Sequence, residues 1–149
     1  MISRSALRTL GVLGINERNI RFTLGENPRR LYPLVDDKLQ TKALCEAAVI
    51  PVAPVLAKAE YHAEVRRLVE ELRGRGDFVL KPASGAMGNG ILVVRDPTDE
   101  GWMGSGGRLI TPDTLAYHAE SIISGLYAIG GQPDVAFLRR VFHKLLLNF

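Results

Sequence analysis

Residues 78–94 read FVLKPASGAMGNGILVV. Two short apolar runs, 78–80 and 91–94, flank a stretch almost bare of side chains. Both runs are rich in branched residues and bounded by turn formers, which predicts two strands joined by a glycine loop. Side chains alternate across a strand, so Lys81 can leave the end of the first run toward one face of a sheet. Any fold for this chain must therefore place a lysine at the mouth of a loop whose backbone is open to close approach.

The rest of the chain supplies elements to surround that unit. Asp36 or Asp37 is suited to cap a helix, since a carboxylate accepts from free N–H groups there. Leu39, Ala43, Leu44, Ala47 and Ala48 then recur at helical spacing, and Pro51 stops the helix. Residues 52–56 read as extended. A second helix is predicted over 59–73, with Val65, Leu68, Val69 and Leu72 as its buried stripe and Gly74 as its stop. Residues 96–107 read as a surface loop and 108–110 as a third strand. Thr111-Pro112 opens another helix, with Leu115, Ala119, Ile122 and Ile123 on its inner side. The last stretch, VAFLRRVFHKLLLNF, has the phase of a basic amphipathic helix. Together these elements predict an α+β (α/β) fold: a small mixed or antiparallel sheet whose strands carry helices on one face.

Composition excludes several classes of function. The chain has 149 residues, 46% of them apolar and 23% charged, an ordinary composition for a soluble protein. No apolar run approaches the roughly 18 residues of a membrane span. The first residues lack the apolar core and cleavage site of a signal peptide. The single cysteine, Cys45, permits no intrachain disulfide and reads as a small helical residue. These features set the expectation of a cytoplasmic protein. The net charge of +3 is modest, and no aromatic-rich basic motif accompanies it, which argues against a nucleic-acid-binding module. His62, His118 and His143 lie far apart and show no metal-ligand spacing, so the sequence offers no metal site.

Known glycine devices narrow the reading of the loop. A P-loop needs its lysine after the glycines and a helix next. A dinucleotide fingerprint also needs a following helix, which Gly88-Asn89-Gly90 lacks. Kinases carry the lysine on a later strand. Two readings survive on the residues alone. In one, Lys81 and backbone N–H groups hold phosphates beneath a mobile loop. In the other, the loop is a plain glycine-rich hairpin beside a chance lysine.

FVLKPASGAMGNGILVV resembles the central lysine and glycine-rich loop of ATP-grasp enzymes. The upstream VDDKLQTKALCEAAVIPVAPVL resembles the segment that precedes that loop in the superfamily. The earlier LGINERNIRFTLGENPRRLYPLVDDK is similar to the alpha-L-glutamate ligase-like branch, related to the ligase that adds glutamate to a ribosomal protein. It is similar too to the group of sugar-transfer-associated ATP-grasp proteins. The resemblance runs over residues 10 to 136. It implies an ATP-grasp fold, ATP and Mg2+ as cofactors, and a carboxylate substrate such as glutamate with an amine acceptor. The reaction it implies passes through an acyl phosphate. Carried over residue by residue, Lys38 and Lys81 would hold the nucleotide phosphates. Ser84, Gly85, Ala86, Met87, Gly88, Asn89 and Gly90 would form the phosphate lid. Arg29 and Arg30 would face the nucleotide or an acidic substrate, or lie as solvated surface groups.

The resemblance also sets an expectation about extent. Its pattern continues with acidic and amide side chains that ligate magnesium, whereas after Gly131 this sequence has one aspartate, Asp134, and no glutamate. Residues 1–136 therefore read as the N-terminal part of an ATP-grasp domain and 137–149 as an atypical tail, with the C-terminal lobe missing. On this reading no catalytic residue is assigned. The alternatives are a non-catalytic, truncated nucleotide-binding remnant and a basic nucleic-acid-binding module.

Overall fold

The computed structural model describes residues 3–140 and divides the chain into two compact units, the first ending at Val35. The first unit is helical: α1 (Arg4–Thr9), α2 (Ile15–Arg18), a π-helical turn Asn19–Leu24, a 3-10 turn Arg29–Leu31, and the start of α3 (Pro33–Asp36). Ser3 caps α1 by accepting from the Ala6 N–H at 3.2 Å. None of the described residues of α1, α2 or the two turns is buried.

The second unit holds a six-stranded, wholly antiparallel sheet in the order β1-β6-β2-β3-β4-β5. Its strands are β1 (Val55–Ala59), β2 (Phe78–Pro82), β3 (Leu92–Thr98), β4 (Gly101–Gly104), β5 (Leu109–Ile110) and β6 (Ala136–Arg140). Three helices accompany it: α4 (Lys38–Ala47), α5 (His62–Leu72) and α6 (Pro112–Ile123). Both long helices bury the stripes their periodicity predicts. Val65, Leu68, Val69 and Leu72 of α5, with Leu115, Ala119, Ile122 and Ile123 of α6, share one core with Phe78, Leu80, Val94 and Leu138 of the sheet. The expected α+β architecture is present, and of the two sheet types expected, mixed or antiparallel, it is the antiparallel one; no helix among the described residues is long and apolar enough to cross a membrane.

Five local expectations need correction. The helix predicted over 59–73 begins later, at His62, because Glu64 reaches back to accept from the Glu60 and Tyr61 N–H groups (2.8 and 3.3 Å). That frees Ala59 to end β1, which is shifted three residues along from the extended piece expected over 52–56. The apolar stripe of α4 is not buried: Leu44 is half exposed, and no residue of the helix reaches the core. The helix is fixed instead at its N-terminus, where Asp37 accepts from the Leu39 and Gln40 N–H groups.

The surface loop expected over 96–107 contains β4. Its Trp102 is buried, edge-on to Phe78 at 6.0 Å, and its indole N–H donates to the Arg75 carbonyl at 2.7 Å. Finally, the stretch read as an amphipathic helix opens as a strand. β6 runs from Ala136 to Arg140 between β1 and β2, continuous across residue 136. Ala136, Phe137 and Leu138 are all fully buried, so the strand shows a continuous apolar run rather than alternation. The remainder of the predicted helix, including His143, lies outside the described residues.

Candidate nucleotide-phosphate site

The alternation of β2 separates two tasks. Phe78, Leu80 and Pro82 are buried, while Val79 and Lys81 between them are only partly covered. Across the ladder Lys81 stands opposite Phe137 and Val79 opposite Arg139. The Lys81 ammonium lies over the Phe137 ring, 5.0 Å from its centroid. Among the described residues it has no carboxylate partner. Its pKa is pushed down from the ordinary lysine range to about 8, first by burial and then by the neighbouring cations Arg139, Lys38 and Lys42. A partly buried cation surrounded by cations is an unfavourable arrangement on its own, and a polyanion relieves it.

Lys38 arrives from the N-terminus of α4. Its backbone N–H donates to the Ala83 carbonyl at 3.0 Å, and its ammonium donates to the carbonyls of Ala83 and Gly85. The two lysines carried over from the resemblance are thus brought to the same loop. Lys38 grips the loop's backbone, whereas Lys81 stands free of hydrogen bonds within the described residues. Lys42 donates to the Ala53 carbonyl. Arg29 and Arg30 lie exposed on the 3-10 turn of the first unit.

The loop is anchored at both ends and open at its tip. At its start, the Ser84 N–H donates to both carboxylate oxygens of Asp134, at 3.1 and 3.0 Å. At its end, the Gly90 carbonyl lies 2.9 Å from Nε2 of His118, whose ring rests on Tyr127. Between these anchors Asn89 N–H closes a turn onto the Ala86 carbonyl, with Met87 and Gly88 both at positive φ (55° and 77°). Met87 is almost wholly exposed. Within the described residues the Met87 and Gly88 amides make no hydrogen bond.

Two glycines serve packing as well as access. A Cβ on Gly85 would sit 2.3 Å from the Pro82 ring, and one on Gly90 would sit 2.6 Å from the Tyr127 ring. Two histidines have polar partners: His118 bonds the loop, and Nε2 of His62 lies 3.4 Å from the Ser124 hydroxyl.

Asp134 was visible in the sequence only as a lone acid. In the fold it is the buried charged side chain among the described residues. Pro133-Asp134-Val135 ahead of a strand was the available signal, yet nothing in it reveals a partner fifty residues away. A metal site of three or more protein side chains is not formed by the described residues. No group of three or more His, Cys, Asp or Glu side chains converges there, and the Asp134 oxygens are already bonded to N–H groups.

A strand, a lysine, a tethered glycine loop and a second strand place a partly buried cation at the mouth of the loop. The chain matches the sugar-transfer associated ATP-grasp family over residues 17–146 and belongs to that family. Its antiparallel sheet and helices are those of part of an ATP-grasp fold, and membership carries ATP-dependent, ligase-type chemistry at the level of the family. No curated protein and no solved structure matches the chain.

Proposed function

We propose that this chain is the ATP-binding part of an ATP-dependent carboxylate–amine ligase, with Lys81 and the 84–90 loop on the nucleotide phosphates. The observation that carries the reading is the Lys81 ammonium. It is partly buried, lies among Arg139, Lys38 and Lys42, and has no carboxylate partner among the described residues. A phosphate oxygen supplies the missing counter-charge through a charge-assisted hydrogen bond. The open amides at Met87 and Gly88 supply further donors to a second phosphate.

Lys38 acts through its grip on Ala83 and Gly85, with a third ammonium proton left for the ligand. Ser84, Gly85, Ala86, Asn89 and Gly90 complete the cradle as its frame. In the ligase reading, a substrate carboxylate such as that of glutamate attacks the terminal phosphate, giving an acyl phosphate and ADP. An amine then displaces phosphate. The protein's own part is to align the nucleotide and exclude water beneath the loop.

A second reading, nucleotide binding without turnover, is favoured by one observation: the described residues assemble no carboxylate cluster for magnesium. Calorimetric titration with ATP tests the shared premise. The expected result is saturable binding by the wild-type chain and a loss of about ten- to a hundredfold in Lys81→Met, the worth of one hydrogen bond to a charged group. Equal affinities in the two proteins would remove the reading. ADP release in the presence of glutamate and an amine then separates ligase from binder.

A further inference from the structure

We infer that Asp134 is a positioning residue for the phosphate loop, holding the loop's first amide so that the cradle keeps its shape before nucleotide arrives. The inference rests on the reading of the loop as a phosphate cradle. Asp134 sits in the turn between α6 and β6, with 6% of its surface exposed. Its carboxylate accepts from the Ser84 N–H with both oxygens and from the Val135 N–H at 2.7 Å. Its own N–H donates to the Ile123 carbonyl at 3.2 Å, which ties the turn back to the last residue of α6.

One residue earlier in the loop, Ala83 N–H donates to the Val135 carbonyl, and the Ala83 carbonyl accepts from Lys38. Two separate segments therefore converge on Ala83–Gly85, where the chain leaves β2: the start of α4 and the entry to β6. A buried carboxylate is retained at such a point only when its oxygens are bonded, and here both oxygens accept from backbone amides.

The consequence is a division of labour along the loop. The Ser84 amide already faces an anion, the Asp134 carboxylate, and is not available to a phosphate. The amides offered to the ligand are those beyond it, toward Met87 and Gly88. Fixing Ser84 also fixes the direction in which the chain leaves β2, three residues after Lys81. Asp134 touches no reacting atom in this arrangement and acts through the loop.

Asp134→Asn tests the idea, because it keeps the shape while replacing one acceptor oxygen by a donor that faces the Ser84 N–H. Affinity is measured for ATP and for adenosine, at a temperature where both proteins are folded. The expected result is about a tenfold weakening toward ATP, the worth of a misaligned charge-assisted contact, with adenosine unchanged. Equal loss for both ligands would show a merely structural residue. Undiminished ATP binding would remove the positioning role while leaving the phosphate site intact. A folded wild-type chain that binds no ATP would overturn the site reading, and the positioning role with it.

Amide exchange on the unaltered chain gives a test independent of any variant. Ser84 should exchange slowly with or without ATP, while Met87 and Gly88 exchange quickly and slow down on ATP addition. A Ser84 amide that exchanges as fast as Met87 would overturn the inference even if the variant fails to fold.

Discussion

The two faces of β2 differ in what their side chains need. Phe78 and Leu80 point into a core built with α5 and α6 and are fully buried. Their requirements are met within the fold. On alternate positions Val79 and Lys81 share a face with Phe137 and Arg139, and the cations there have no matching carboxylates among the described residues. One face has its needs met within the fold, and on the other the cations stand without a counter-charge among the described residues, which in the proposed function a phosphate supplies. A residue's place on a strand thus decides whether its loss is felt as stability or as binding.

Substitutions on the two faces should separate those outcomes. The largest effect belongs to the core face. Leu80→Ala should lower unfolding free energy by about 2–5 kcal/mol, measured by denaturant titration, with ATP affinity of the folded protein retained. Next comes the ligand face: Lys81→Met should cost ATP about 1.5–3 kcal/mol of binding, while the melting temperature stays level or rises. A melting temperature that falls with Lys81→Met would show that the lysine serves the fold, and the contrast between faces would collapse.

The loop offers a finer comparison between its anchored end and its tip. Gly90 has φ +73° and a Tyr127 ring 2.6 Å from where a Cβ would stand, whereas Gly88 has φ +77° with open space around it. Gly88→Ala should cost about 1–2 kcal/mol, from backbone strain alone. Gly90→Ala adds a steric clash to the same strain and should cost more, read in paired thermal melts. Equal costs would mean the ring moves aside freely.

The smallest effect is a pH dependence of stability. Lys81 holds its proton less tightly in the folded chain, near pH 8, than in the unfolded chain near 10.5. Between those values the unfolded state binds more protons, so this group makes stability rise with pH across that window and adds nothing further above it. Below pH 8 the lysine is charged in both states and its full penalty is felt. Solvent around the half-covered ammonium keeps the effect small. Lys81→Met should flatten this part of the profile in unfolding titrations run from pH 7 to 10.

Much of this was legible in the sequence where a local pattern reports a local cause. The stripes of α5 and α6 follow from helical spacing, and Thr111 caps α6 as a threonine before proline should, accepting from the Thr114 N–H. The strand–lysine–loop–strand order of the site was readable for the same reason. What escaped depends on partners distant in sequence. β6 reads as helix because Val135, Leu138 and Phe142 share a helical phase, yet the strand is set by β1 and β2 on either side. Trp102 sits in a polar, glycine-rich stretch, and only Phe78 and the Arg75 carbonyl explain its burial. Asp134 belongs to the same class, since its meaning lies in Ser84.

The most direct test of the cationic face is the proton count on ATP binding at pH 9, obtained by calorimetry in buffers of differing ionisation enthalpy. With a pKa near 8, Lys81 is mostly neutral there and must regain a proton to meet a phosphate. A phosphate seated on this lysine entails uptake of close to one proton per ATP by the wild-type chain, and none by Lys81→Arg, whose guanidinium is always charged. Binding without proton uptake in the wild type, or the same uptake in both proteins, would contradict it.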